Sequence, residues 1–235
     1  MKTRRKIVIS CEHGGDHVPP EYQRLFRGKH SILQSHRGRD QGALELAQGL
    51  AAKIKAPLFS STTTRLLVDL NRSLHHPHLF SEFTRHCAPA LKTKILEHYY
   101  HPYRTKLEKA IHKIAAGGGT ALHLSIHSFT PKLGKELRRA DVGLLYDPQR
   151  RDERELCRNL QIILGNTADG LIVRKNYPYR GTADGFTTDL RKRYGGGKYL
   201  GIEIEINQKH VGANSAQWAR LRTQIIHAVE IAIHQ

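Results

Sequence analysis

Two histidines in this chain each follow a short apolar run. Lys6-Ile-Val-Ile-Ser-Cys11 leads into Glu12-His13-Gly-Gly-Asp16, and Thr120-Ala-Leu-His-Leu-Ser-Ile126 leads into His127-Ser-Phe129. Imidazoles placed at the ends of two buried parallel strands converge at one sheet edge, where open α/β sheets bind their ligands. A hydrolytic zinc site needs two such nitrogens, a third ligand, an open position for water, a base beside that water and a cationic group for the oxyanion or a substrate carboxylate. Two carboxylates compete for the third position: Asp16, three residues after His13, and Asp40, at the start of the first crossover helix. Asp40 also sits where a helix N-cap accepts backbone N–H bonds, so that role competes with ligation. Asn71-Arg72 closes another apolar run and supplies an amide and a guanidinium. Glu203 and Glu205 alternate with Ile202, Ile204 and Ile206, so the two acids share one strand face. A carboxylate in that setting is costly to bury unless paired or functional, and either acid could serve as general base. The competing reading is an edge strand with one solvated face. Ser128, next to His127, and Tyr179 with Arg180 in the turn-rich stretch Asn176-Tyr-Pro-Tyr-Arg-Gly-Thr-Ala-Asp-Gly185 are substrate-binding candidates.

The elements that must position these groups alternate. Strands are expected over 6–11, 58–62, 65–70, 120–126, 142–146, 171–173 and 199–206. Helical spacing is expected over 21–26, from Asp40 to Ile54, and over 89–116, 153–164 and 216–234, with Pro102 kinking or dividing the long one. Strands alternating with helices predict an α/β fold with a mixed, mostly parallel sheet, and the closeness of the two strands flanking 63–65 predicts antiparallel pairing there. The 235 residues read as one domain, 1–235, without repeat or linker. The formal charge of +17 implies an electropositive surface that attracts anionic ligands, but Lys and Arg are spread over every helix rather than gathered on one arm. Three unpaired cysteines, Cys11, Cys87 and Cys157, fit a reducing compartment. The basic start, Met1 to Lys6, precedes too few apolar residues for a signal peptide, and no stretch reaches membrane-spanning length, so a cytoplasmic protein is expected. His75, His76, His78 and His86 show no ligand spacing and read as a solvated loop.

These residues resemble a known family. Ser125-Ile-His-Ser-Phe129 is similar to the strand end carrying the second zinc histidine of metallocarboxypeptidases, His13-Gly-Gly-Asp16 to their His-x-x-Glu, and Asp69-Leu-Asn-Arg72 to an Asn-Arg element shared with aspartoacylase-type deacylases. Taken in order, Ser10-Cys-Glu-His-Gly-Gly15 with Val18-Pro19, Arg39-Asp-Gln-Gly-Ala43, Val68-Asp-Leu-Asn-Arg72, the histidine strand, Asn176-Tyr-Pro-Tyr179 and Gly201-Ile-Glu-Ile-Glu-Ile-Asn-Gln208 resemble the N-formylglutamate amidohydrolase family over nearly the whole chain. The resemblance implies a three-layer α/β/α, phosphorylase/hydrolase-like fold and metal-dependent removal of an N-acyl group from an amino acid such as glutamate. It further implies Zn2+ on His13, His127 and Asp40, with Asp16 as the alternative to Asp40, Glu205 rather than Glu203 as catalytic acid–base, and Arg72 with Asn71 either gripping a substrate carboxylate or polarising the acyl carbonyl, so that Arg72 is a catalytic as well as a binding candidate.

Two other readings belong beside it. One is a metallopeptidase of carboxypeptidase-like fold; the other is a non-enzymatic binder of nucleic acid or another polyanion through the basic surface.

Overall fold

The computed structural model describes residues 5–167, 170–212 and 214–234. The first four residues of the basic start, Met1 to Arg4, lie outside the described residues. A six-stranded sheet runs in the order β2 (Leu58–Ser60), β1 (Arg5–Cys11), β3 (Thr120–Phe129), β8 (Tyr199–Asn207), β6 (Val142–Leu145) and β7 (Val173–Lys175). All neighbours are parallel except β6 and β8. A short antiparallel hairpin, β4 (Lys132–Leu133) with β5 (Glu136–Leu137), stands apart. The helices are α1 (His30–Gln34), α2 (Ala43–Ile54), α3 (Pro89–Ile95), α4 (His101–Ala116), α5 (Arg151–Gly165), α6 (Phe186–Arg193) and α7 (Ser215–His234).

Period-two alternation gives the central strands two different faces. Ile9, Leu122, Leu124, Ile126, Ile202 and Ile204 face α2, α5 and α7 through Leu46, Leu50, Leu160 and Ile225. On the opposite face, Val8, Ala121 and Tyr199 pack against Leu107 and Ile111 of α4 and Phe186 and Leu190 of α6. That second face also carries a run of polar groups, Ser10, Glu12, His123, Ser125, His127, Glu203 and Glu205, all buried. β8 lies between β3 and β6 with every residue buried, so the solvated-edge reading of Glu203 and Glu205 does not hold.

Other expectations shift as well. Residues 65–70 form turns rather than a strand, and their apolar run is buried in a separate cluster with Tyr22, Phe26, Leu79, Ile95 and Tyr100. An apolar run without periodicity marks burial, not strand geometry. The antiparallel pair lies at β6 and β8, not around 63–65, where His17 and Thr63 make one parallel bridge. Asp40 is not a cap: α2 starts after Gly42, which is left-handed at φ 78°, with no side-chain cap bond. The 89–116 helix is divided by a π-helical turn, Leu96–Tyr100, immediately before Pro102, where the His101 N–H bonds back to the Leu96 carbonyl. α6 lies where the residue pattern predicts no element.

Candidate active site

The end of β3 carries His127, and the turn after β1 carries His13. The backbone N–H of Asp40 donates to the His13 carbonyl (2.9 Å), which brings the Asp40 side chain between the two rings. Asp40 Oδ2 lies 2.8 Å from His127 Nδ1 and 3.3 Å from His13 Nδ1. One donor atom from each residue falls within 4.8 Å of the others, and all three residues are buried. Asp16 is elsewhere, half-buried and paired with Arg39 at 3.3 Å. His75 and His78 are exposed.

The far nitrogen of each ring is held. His13 Nε2 meets Asp69 Oδ1 at 2.7 Å, and His127 Nε2 meets Ser125 Oγ at 3.0 Å and Glu12 Oε2 at 3.3 Å. In the tautomer whose Nε2–H donates to these oxygens, Nδ1 on the side of Asp40 is the nitrogen left to ligate a metal, the way metal-ligating histidines are oriented. Two imidazole nitrogens and one carboxylate oxygen, closely gathered and shielded, form a donor set that fits a divalent metal of zinc's class. Arg65 closes the network, donating to Asp40 Oδ1 (3.2 Å) and Asp69 Oδ2 (2.8 Å).

Burial alone would push these groups toward neutrality, but their partners win. Burial and Arg65 lower the His13 pKa, yet Asp69 and Asp40 hold it above its ordinary value. His127 is raised further, because its bonds to Asp40 and Glu12 outweigh burial. Asp40, Asp69 and Glu12 all lie well below the usual carboxylate range despite complete burial, through His13, Arg65 and His127 respectively. Glu205 behaves oppositely. Burial, reinforced by Asp40 and Glu203, raises its carboxyl to about 8. Glu205 sits opposite His127 in the sheet register, and its Oε2 has no hydrogen-bond partner among the described residues. Glu203 is committed, its Oε1 accepting a bond from Thr187 of α6.

A cavity of about 210 Å³ opens over this network. His13, Asp40, His127 and Glu205 line its floor, with Asn71, Arg72, Ser128, Tyr179 and Arg180 around it. Asn71 Nδ2 lies 3.5 Å from His127 Nε2, and its Oδ1 accepts the Phe186 N–H (2.7 Å). Arg72 Nη1 donates to the Asp184 carbonyl (2.9 Å), and Ser128 Oγ accepts from Gln208 (3.0 Å). The 176–185 loop lies directly on β6: a Cβ on Gly143 would meet the Tyr177 carbonyl at 1.9 Å, so only glycine lets the loop approach. That approach carries Tyr179 to the cavity, where Arg138 donates to its hydroxyl at 3.2 Å.

Sequence reasoning passed over Glu12, Arg65 and Asp69, which hold the inner residues in place. Glu12 adjoins His13, and Asp69 stands two residues before Asn71. The usable signal was their polarity inside segments that are otherwise apolar.

The sequence matches the family model described as N-formylglutamate amidohydrolase over residues 5–211. No curated protein sequence matches the chain. Among solved structures it is similar to gene product Atu2144 from Agrobacterium tumefaciens, at 25% identity and TM-score 0.81, covering 99% of this chain and 92% of that one. It is also similar to the N-formylglutamate amidohydrolase from Ralstonia eutropha JMP134, at 20% identity and TM-score 0.70, covering 97% and 93%, a likeness of fold.

Proposed function

The chain belongs to the N-formylglutamate amidohydrolase family of amide-hydrolysing enzymes, and from that premise we propose that it removes an N-acyl group, formyl in the type reaction, from a small anionic amino acid, with Zn2+ held by His13, Asp40 and His127. The observation that carries this reading is the buried carboxyl of Glu205, whose Oε2 has no hydrogen-bond partner among the described residues and which lines the same cavity as the two imidazoles and Asp40. The non-enzymatic binder gives way to a hydrolase, and among the described residues no helix is long and apolar enough to cross a membrane. A cytoplasmic setting agrees with three free thiols.

Zinc, when bound, supplies Lewis acidity to the acyl carbonyl and to the attacking water. The chain's own groups do the rest. Asn71 and Arg72 bind the substrate carboxylate and fix the acyl carbon over Glu205. Glu205 takes a proton from the water as its oxygen joins the acyl carbon, then returns it to the departing nitrogen as the C–N bond breaks, leaving a carboxylic acid and an amine. A carboxyl raised by burial suits both transfers near neutrality. Tyr179 and Arg180 cover the mouth and contact the amino-acid side chain, while Ser128 borders the acyl group. Arg65, occupied by Asp40 and Asp69, is left to hold the inner residues.

The test is turnover of N-formyl, N-acetyl and N-succinyl amino acids by zinc-loaded protein, with the released amine and acid quantified together. Equal release from N-formylglutamate is expected. No turnover on any of the three series would overturn the substrate proposal.

A further inference from the structure

Asn71 and Arg72 belong to no strand, so something other than a sheet ladder must set them. Against their backbone lies the guanidinium of Arg104 on α4. It is 4% exposed and does not line the cavity. Its Nη1 donates to the carbonyls of Leu70 (3.2 Å) and Arg72 (3.4 Å), the two that flank Asn71. Its Nη2 pairs with Asp189 of α6. The plane rests on the Phe186 ring at 3.7 Å, with Tyr100 at 5.1 Å. Both rings reach the same segment: the Phe186 N–H donates to Asn71 Oδ1, and the Tyr100 hydroxyl donates to the Arg72 carbonyl at 2.7 Å.

A long cationic side chain is buried only when its partners compensate for desolvation, and here those partners are the backbone of one binding segment and the helix facing it. We propose that Arg104 is a positioning residue for substrate recognition. It clamps the chain on both sides of Asn71 and steadies the Phe186 platform, so that the Asn71 amide and the Arg72 fork face the substrate carboxylate at a fixed angle. The proposal rests on the reading of Asn71 and Arg72 as carboxylate contacts. Lysine cannot replace the group, because an ammonium has neither the plane to stack on Phe186 nor the span to reach both carbonyls and Asp189.

Arg104→Lys should raise KM for N-formylglutamate about tenfold with little change in kcat. Placed in an Arg72→Ala background, the same substitution should add less than about twofold, because both act through one contact. Additive effects, or a lower Tm with unchanged KM, would show a purely structural role and overturn the proposal. Amide exchange needs no substrate: in Arg104→Lys, exchange over residues 70–73 should rise at least about tenfold while β3 stays protected. Unchanged exchange there overturns the proposal even in an enzyme that acts on other amides, whereas faster exchange without turnover of N-formylglutamate leaves Arg104 in its role and removes only the substrate reading. Should Arg104→Lys fail to fold, Asp189→Asn frees one side of the guanidinium and should give the same KM rise in smaller measure; an unchanged KM in that variant counts against the clamp.

Discussion

The strand pair β3 and β8 and the segment 65–72 both feed the cavity, and they are built on different principles. His127 and Glu205 stand opposite each other in a parallel ladder whose residues are all buried. Their separation is set by strand spacing, and changing one side chain leaves the other in place. Asp69, Asn71 and Arg72 stand on turns whose backbone is pinned individually: Thr84 Oγ1 donates to the Leu67 carbonyl (3.1 Å), the Asp69 N–H to the Leu79 carbonyl (2.9 Å), and Tyr100 to Arg72. In the proposed reaction the ladder carries the groups whose chemistry needs invariant geometry. In that same reaction the pinned segment carries the groups that would meet the substrate, and their position depends on many separate contacts.

The largest break in this comparison is expected on the ladder. His127→Ala should lose bound metal and with it essentially all activity, whereas His76→Ala should change neither; elemental analysis beside activity assays decides this. Next, Glu205→Gln should retain metal and substrate binding while turnover falls about a hundredfold or more, as befits an acid–base group acting in the transition state. Glu203→Gln should do less, its carboxylate being tied to Thr187; steady-state kinetics with metal content on both variants compare them. On the segment, Arg72→Lys should act mainly on binding, raising KM about tenfold by losing the fork while keeping the charge. Thr84→Val, which removes a pin without touching the cavity, should cost about 1–2 kcal/mol in denaturant unfolding by leaving the Leu67 carbonyl unsatisfied.

The smallest effect concerns the far edge of the sheet. Asp141 precedes β6 and meets His210 (2.8 Å) and Lys209 (2.6 Å). Although burial opposes ionisation, these partners hold its carboxyl below the usual range. A depressed folded pKa means that the stabilisation is present above the unfolded value of about 4 and is lost as pH falls through the lower folded value. Acid unfolding of Asp141→Asn should therefore show a shallower loss of stability below about pH 4 than the parent, by thermal melts across pH.

Much of the ladder was legible in the residues. Alternation in 120–129 and 199–207 separates an isoleucine and leucine face from a face of His, Ser and Glu, because the backbone itself imposes a period of two. The segment was not legible in that way: Leu66-Leu-Val-Asp-Leu70 is apolar enough for a strand, and only its cluster with Tyr22, Leu79 and Ile95 shows that burial was achieved without one.

The sequence by itself determined which chemical groups the chain owns, the polarity of the two central strands and the kinship of the whole. Spacing left Asp16 and Asp40 open for the third ligand and could not rank Glu203 against Glu205, although the family resemblance favoured Asp40 and Glu205. Tertiary structure decided their surroundings: Asp40 stands between the imidazoles while Asp16 turns to Arg39, and Thr187 takes Glu203 while Glu205 Oε2 has no partner among the described residues. The reason is physical. Periodicity is a local property of the backbone, whereas the state of a buried carboxylate depends on which distant side chain reaches it, and that partner is chosen only when helices and turns far apart in the chain close over the same sheet face.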